Sequence, residues 1–428
     1  MNIWIVCPYA GSVRHGMNYR PYYFGREFAR AGHRVVVVSG SYSHQFVRLP
    51  ETKGTYTRET LDGMEYVWVK VPRYRSSGDP ARTAGWALFC LRLGGVARLG
   101  LPKPDAIVVS SPVPYPVVPA AALACWFGAK LVFDVRDIWP LSLTALGGYS
   151  TRHPFIRLTQ WVEDFAYRKA DLVVSALPNA LEHMSSRGLS PDRFLWVSNG
   201  VDPEDAESAP DTGTASGAGG GIVAGAIPKI PRDGGFHVCY AGSFHERNVA
   251  MVFVEAAALL KARGVNVRFH FLGKDGGGKP ALVARARDLG ADNVVFHDPI
   301  PRSSMQGFLA GMDACLAGTK GSPLYRFGIS LTKQFDYMLA GKPVVLSSNA
   351  VNDLVTRTGC GLVVPPEEPG AAADAIEALA RMEPSAREAM GRRGRETLLA
   401  EFTYPKLAAR FLEGIAAAAS RARPGSRG

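Results

Sequence analysis

The sequence predicts an α/β protein built as two halves, each wound on a mainly parallel sheet. Its 428 residues are enough for two medium domains, each with its own core. In both halves short apolar runs alternate with segments of helical period: 3–7, 21–31 and 35–39 in the first, and 236–240, 249–263 and 267–272 in the second. Between them lies 207–235, whose stretch TGTASGAGGG cannot bury a core. The expected organisation is a first domain over 1–205, a linker or insertion over 206–235, a second domain over 236–402, a helix over 403–420 and a disordered basic tail over 421–428.

Composition narrows the class. The hydrophobic share is 47% and the charged share 20%, ordinary for soluble α/β proteins. The cysteines at 7, 90, 125, 239, 315 and 360 form no CxxC pair, which argues against a zinc ribbon or a disulfide framework and for buried thiols in a reducing compartment. A formal charge of +11 invites partners with phosphates: nucleotides, nucleic acid or an anionic membrane surface. The basic residues form no nucleic-acid motif, so no nucleic-acid partner is expected. The opening MNIWIVCPYAG reads as a strand, with no basic region before it to make a secretory signal. The uncharged run 106–129 holds Pro112, Pro114, Pro116 and Pro119, which break any single helix. Strand, turn and helix are expected there, with no transmembrane span.

Taken in order, strand 3–7 enters a loop over 8–20 and a helix over 21–31, stopped by Gly32 before strand 35–39. The loop carries Gly11, Ser12, His15, Gly16 and Arg20 at the carboxyl end of a strand, where open α/β sheets bind ligands; a plain connection is the alternative. No GxGxxG is present, which disfavours a dinucleotide site. Residues 55–71 alternate around Asp62-Gly63 as a β-hairpin. The segment 70–103 combines Lys70, Arg73, Arg75, Arg82, Arg92, Arg98 and Lys103 with Trp86, Leu88, Phe89 and Leu91. It suits an interfacial membrane contact, or a core helix with a solvated basic rim. Strand 130–135 ends in Arg136-Asp137-Ile138-Trp139-Pro140. A carboxylate, an arginine and an aromatic together suit an acceptor sugar, or the two charges form a structural ion pair. Helix 155–168, strand 172–175 and strand 194–197 complete the half, ending in the turn Asn199-Gly200-Val201-Asp202.

In the second half, strand 236–240 leads into Ala241-Gly242-Ser243-Phe244-His245-Glu246-Arg247-Asn248 and a helix over 249–263. A glycine turn, a basic residue and a helix start form an anion cradle. Gly273-Lys274-Asp275-Gly276-Gly277-Gly278 does not lead into a complete GxxxxGK[ST] motif, so an ATPase is rejected. Strands 267–272, 294–297 and 360–364 and helices 370–381, 385–399 and 404–419 continue the pattern.

The most informative stretch is 324–346, LYRFGISLTKQFDYMLAGKPVVL. Phe335, Met338 and Leu339 give a helix one apolar face, Ser330 or Thr332 can cap it, Gly341 and Pro343 stop it, and 344–346 reads as a buried strand. A helix start with an added lysine suits a phosphate, and a carboxylate one turn in can accept from sugar hydroxyls. A generic amphipathic helix remains the alternative. This string resembles the C-terminal signature of the retaining GT-B glycosyltransferases, the family-4 group: Asp336 stands at the second acidic position and Leu339-Ala340-Gly341-Lys342-Pro343-Val344 matches the rest, while the first acidic position falls on Gly328. Lys333 and Asp336 before YMLAGKPVV, with RDIWP at 136–140, look most like a subgroup that adds amino sugars of the L-fucosaminyl type in capsule and O-antigen synthesis.

The resemblance implies two Rossmann-like domains facing a cleft, with a C-terminal helix crossing back to the first. It implies transfer of a sugar, an N-acetylated amino sugar above all, from a nucleotide sugar (UDP first) to a lipid-diphosphate-linked saccharide with retention. It further implies a cytoplasmic enzyme peripheral on the inner face of the membrane. Gly242, Ser243, Arg247, Ile300, Gly328, Ser330, Leu331, Thr332, Lys333 and Asp336 would hold the donor, Ile300 through the turn that receives the base. Gly11, His15, Gly16, Arg20, Arg136 and Asp137 would hold the acceptor. Asp137, Lys333 and Arg247 would serve the chemical step, by orienting the acceptor and neutralising the leaving diphosphate. The family places its arginine directly after the glycine and a lysine five residues on; here Ser243 and Asn248 stand there, leaving Arg247 as the nearest cation. No DxD motif occurs, so no metal and no other cofactor is expected. A non-hydrolysing sugar-nucleotide epimerase and a non-catalytic nucleotide-sugar or lipid-binding protein are the competing readings.

Overall fold

The structure is a computed structural model and describes residues 1–16, 19–76, 78–204, 228–231, 233–244 and 249–421. Most of the expected linker, Arg247 and almost all of the basic tail lie outside the described residues. The chain divides into two compact units, one containing Met1–Asn199 and Tyr404–Gly428, the other containing Ile222–Thr403.

In the first unit the order is β1 (Asn2–Val6), α1 (Tyr19–Arg30), β2 (Arg34–Gly40), β3 (Tyr56–Leu61), β4 (Met64–Val69), α2 (Pro80–Val96), β5 (Ala106–Ser110), α3 (Val117–Phe127), β6 (Lys130–Val135), α4 (Leu141–Ala145), α5 (Pro154–Lys169), β7 (Leu172–Ser175), α6 (Ala180–Ser186) and β8 (Phe194–Trp196). The strands lie as β3-β4-β2-β1-β5-β6-β7-β8, parallel except for β3, which pairs antiparallel with β4. Their central members are near-continuous apolar runs such as Val35-Val36-Val37-Val38, buried throughout, as a sheet covered on both faces requires. The hairpin joining β3 to β4 turns at Asp62 (φ 48°) and Gly63 (φ 78°), the two positive φ values of a type I′ turn.

The second unit runs β9 (Phe236–Ala241), α7 (Ala250–Ala262), β10 (Val267–Leu272), α8 (Lys279–Asp288), β11 (Val294–His297), α9 (Met305–Ala310), β12 (Ala314–Gly318), α10 (Thr332–Leu339), β13 (Val344–Ser347), α11 (Leu354–Thr358), β14 (Gly361–Val364), α12 (Pro369–Arg381) and α13 (Pro384–Glu401). Its sheet, β11-β10-β9-β12-β13-β14, is parallel in every pairing. The order reverses between β9 and β12, so the carboxyl ends of those strands open the crevice where doubly wound sheets take ligands. The last helix, α14 (Tyr404–Ala419), belongs to the first unit. Tyr404 stacks on Tyr23 at 4.4 Å, and Phe411 meets Phe24 and Phe28 edge-on at 5.4 and 5.5 Å.

The structure revises three expectations. Helix α1 starts at Tyr19, so Pro21 occupies its third position. Helix α10 has Leu331 before its first residue and no side-chain cap, so neither Ser330 nor Thr332 caps it as expected. In α2, Trp86 and Phe89 are buried: Trp86 donates its indole N–H to Tyr9 at 2.5 Å and stacks on Tyr115 at 5.8 Å. These two aromatics are core residues, because only one face of this helix is covered and it is theirs; Leu91 lies on the opposite face and is 80% exposed.

Candidate active site

In the second unit the site is assembled at the sheet's reversal. Tyr337, buried on α10, bonds both backbone groups of Ala241, accepting from its N–H at 2.7 Å and donating to its carbonyl at 3.2 Å. This pins the second half of the helix to the end of β9. Lys333, one turn earlier, reaches the same place: its Nζ donates to the Tyr240 hydroxyl at 2.8 Å and lies 3.9 Å from that ring's centre. A Cβ on Gly242 would stand 2.7 Å from this amine, so glycine is what lets the lysine in. The residue is half-buried overall. Burial alone brings that amine down to about 7, and among the described residues no carboxylate pairs with it.

Asp336 follows on the same helix. Its Oδ2 accepts from Arg302 at 2.6 Å, and its Oδ1 is buried without a hydrogen-bond partner. Gln334 Nε2 is likewise buried and unpartnered. Gln334 and Asp336 thus leave an amide N–H and a carboxylate oxygen without partners within one turn of Lys333, whose amine has the Tyr240 hydroxyl but no counter-charge among the described residues. Native structures seldom leave buried polar atoms so, and a catalytic role or a bound water or ion is among the reasons when they do.

Gly328, where the signature has its first acid, has φ 91° and ψ 179°. That region is essentially restricted to glycine, so the backbone itself excludes a carboxylate side chain at this point. The segment 329–331 then carries Ser330 and Leu331 into α10. Ile300, in the turn after β11, is half-buried, and Ser243 follows Gly242 off β9. His297, at the end of β11, is committed within the sheet: its Nε2 lies 2.9 Å from His270 Nδ1, and His270 Nε2 lies 3.0 Å from His237 Nδ1. Arg247 lies outside the described residues.

The first-unit candidates fall in two places. At the carboxyl end of β6, Asp137 accepts from Ser142 Oγ at 3.1 Å and Trp139 Nε1 at 3.2 Å. Burial raises its carboxyl above the usual range, against those bonds and the Arg136 charge. Arg136 is itself pulled down by burial, beside Arg20 and Asp134. Arg20 requires correction as an acceptor ligand. It is 2% exposed, and its five N–H groups go to Asp134, the carbonyls of Val197 and Ser198, and the Asn199 side chain. With every donor committed it locks α1 to β6 and the end of β8. At the other place, His15 is buried, bonded to Ser12 at 2.8 Å, and lowered by burial. Gly16 (φ 83°) leaves room for Val47, which a Cβ would meet at 2.9 Å, and the Gly11 carbonyl accepts from Tyr66 at 3.1 Å.

Sequence reasoning missed Arg302, Tyr240, Tyr337 and Gln334. Tyr337 and Gln334 sat inside the singled-out helix. Tyr240 and Arg302 come from other strands and loops and had no local signal.

With this geometry in view, the comparisons become informative. Residues 15–200 match the Glycosyl transferase 4-like domain and residues 235–382 match Glycosyl transferases group 1. No curated protein matches the sequence. Among solved structures, the sucrose-phosphate synthase of Thermosynechococcus elongatus superposes with a TM-score of 0.70 at 15% identity, covering 96% of this chain and 97% of that one. The α,α-trehalose 6-phosphate synthase of Burkholderia multivorans gives 0.69 at 14% identity over 98% and 99%. Anabaena Alr3699/HepE, in complex with UDP and glucose, gives 0.64 at 14% identity over 97% and 99%. These likenesses establish the GT-B fold. The protein is a glycosyltransferase. It joins a family-4-like first domain to a group 1 second domain, and the epimerase reading is not favoured.

Proposed function

We propose that this glycosyltransferase takes its sugar from a UDP-sugar held in the second unit and passes it, with retention, to a lipid-diphosphate-linked saccharide during surface polysaccharide synthesis. An N-acetylated amino sugar is the donor class favoured by the subgroup resemblance at RDIWP and YMLAGKPVV. The observation that carries the donor reading is the unmatched set on α10. A diphosphate supplies the charge that Lys333 lacks, and ribose hydroxyls supply donors for Asp336 Oδ1. Anabaena Alr3699/HepE, similar in fold, is in complex with UDP and glucose and with UDP-glucose, which supports a UDP-sugar donor for this chain.

In this reading Lys333 binds and neutralises the leaving diphosphate, a preorganised contact whose worth grows as charge develops. Asp336, steadied by Arg302, orients the nucleoside. On the first unit Asp137 accepts from an acceptor hydroxyl and orients it, and the Arg136 charge works against the burial that raises its carboxyl. The leaving phosphate can take the acceptor proton, so no side-chain nucleophile is required. The reading includes no metal, in keeping with the missing DxD motif.

The reading also places the enzyme on the cytoplasmic face of an anionic membrane, where a lipid-linked acceptor resides. No helix of the described residues is long and apolar enough to cross a membrane. Support for a surface contact comes from α2, α3 and α5, neighbours in series. Helix α3 carries no charged residue, and Leu91, Trp126, Leu158 and Trp161 are 80, 68, 54 and 51% exposed. Arg98, Arg157, Arg168 and Lys169 are exposed on the same helices or at their ends, the mixture an anionic interface attracts.

Thermal protection by a panel of nucleotide sugars tests the donor assignment. A ligand at a hundred times its dissociation constant adds roughly 3 kcal/mol, so the correct UDP-sugar should raise the melting temperature by several degrees. Protection by none of the UDP-sugars would overturn it.

A further inference from the structure

The first unit contains a second feature at the carboxyl side of its sheet. The loops that follow β1 and β2, with the first residues of the antiparallel edge strand β3, enclose a cavity of about 340 Å³. Its walls carry Arg14, Arg48, Lys53 and Arg58 against Glu51 and Glu59. All three segments lie at the end of the sheet where open α/β folds take ligands, and the volume is at the small end for ligand pockets.

The cations differ in how far they are satisfied. Arg58 is tied to Glu65, and Arg14 stands 3.8 Å from Glu59. Glu59 also accepts from Trp68 Nε1 at 2.8 Å and lies 3.7 Å from His15 Nε2. For Arg48 and Lys53 the described residues provide no acidic partner, and both side chains are exposed. The cavity is also held in shape. The Val47 N–H donates to the His15 carbonyl at 2.8 Å, joining the two loops at the point where Gly16 leaves room for Val47.

We propose that this cavity binds the phosphate of a phosphorylated acceptor, with Arg48 and Lys53 as its principal ligands and Arg14 closing on it. A dianionic phosphate balances the two uncommitted charges, and a forked guanidinium beside an ammonium is the pairing that phosphate oxygens favour. The remaining volume suits a group the size of one sugar. Two sources share this chemistry: a soluble sugar monophosphate and the diphosphate headgroup of a lipid-linked saccharide. The inference rests on the glycosyltransferase reading only in calling the ligand an acceptor; the phosphate site stands on the cavity alone.

The test is binding without turnover. Calorimetry on the full chain would use inorganic phosphate, glucose 6-phosphate, glucose, and vesicles with and without a polyprenyl-diphosphate sugar. The comparison is wild type against an Arg48→Ala, Lys53→Ala double variant and against Arg48→Glu, with folding checked by circular dichroism. Glucose 6-phosphate or the diphosphate lipid should bind and glucose should not, and the double variant should weaken binding more than about tenfold, since two charge-assisted contacts are lost. Added salt should weaken it further. Preference for the soluble ester or for the lipid identifies the source. Binding without subsequent glycosylation keeps the site and removes the acceptor role. Equal affinity in wild type and both variants, or no binding of any phosphate probe, overturns the proposal.

Discussion

Replacing Lys333 with methionine should make the ligand-free protein more stable while weakening its hold on the donor. The substitution keeps an unbranched side chain, one atom shorter, and removes a charge whose only described polar partner is the Tyr240 hydroxyl. Burial lowers the amine from 10.5 to about 7, and each tenfold change in proton affinity is about 1.4 kcal/mol. The charged amine therefore costs the empty fold at most on the order of 4–5 kcal/mol below pH 7, reduced by solvent screening because the residue is only half-buried. The sign follows from proton counts. Between pH 7 and 10.5 the unfolded chain binds more protons than the folded one, so wild-type stability rises with pH from this group. The methionine variant lacks that rise, and its advantage fades as pH approaches 10.5. Urea unfolding of both proteins at pH 6, 8 and 10 measures this. Calorimetry with the UDP-sugar supplies the other half. Donor affinity of the wild type should fall as pH climbs above 7, and the variant should lose about 2–4 kcal/mol in transfer. A variant less stable than wild type at pH 6, or a wild type with no extra pH slope, would refute the reasoning, because Lys333 would then be a structural residue.

Four other outcomes are expected. Gly242→Ala should leave the fold intact and weaken donor binding about tenfold, since its Cβ displaces the end of Lys333; calorimetry and circular dichroism on one sample check both parts. Asp137→Asn should reduce transfer far more than donor affinity, and an equal fall in both, measured by assay and calorimetry, would remove its acceptor role. Arg20→Ala should destabilise the protein by roughly 3–5 kcal/mol, because the buried Asp134 loses its ion-pair partner, as denaturant unfolding will show. Co-sedimentation with vesicles should need anionic lipid and weaken with salt, and Trp126→Glu should reduce the salt-resistant part; equal binding to neutral vesicles at every salt concentration argues against the electrostatic component.

The parts of the fold that local physics dictates were legible in the sequence. Runs such as Val35-Val36-Val37-Val38 announce strands buried on both faces, Asp62-Gly63 announces its hairpin, and residues 404–419 read as the helix the structure contains. Lys333 and Asp336 stood out for the same reason, being set at the start of one amphipathic helix. What pairs with them did not, because Tyr240 and Arg302 arrive from a strand and a loop far along the chain. The same limit applies to Arg20: a loop-to-helix arginine looks available until Asp134 and the carbonyls after β8 close around it. Trp86 shows the limit of composition. Basic residues and aromatics in one segment suit a membrane surface, yet which face of the helix is covered depends on Tyr9 and Tyr115. The exposed apolar residues Leu91, Trp126, Leu158 and Trp161 come from three neighbouring helices with no shared sequence pattern. Gly328 was readable as a departure from a signature, but its reason is a backbone angle.

The central claim is that Lys333 and its neighbours hold a UDP-sugar whose sugar is transferred. Incubating the purified protein with radiolabelled UDP-N-acetylhexosamines and a lipid-diphosphate-linked acceptor, and counting label in the extracted lipid, tests it most directly. The account predicts labelled product with wild type and little with a folded Lys333→Met variant. Equal labelling by the two proteins, or no labelling from any UDP-sugar, would contradict it.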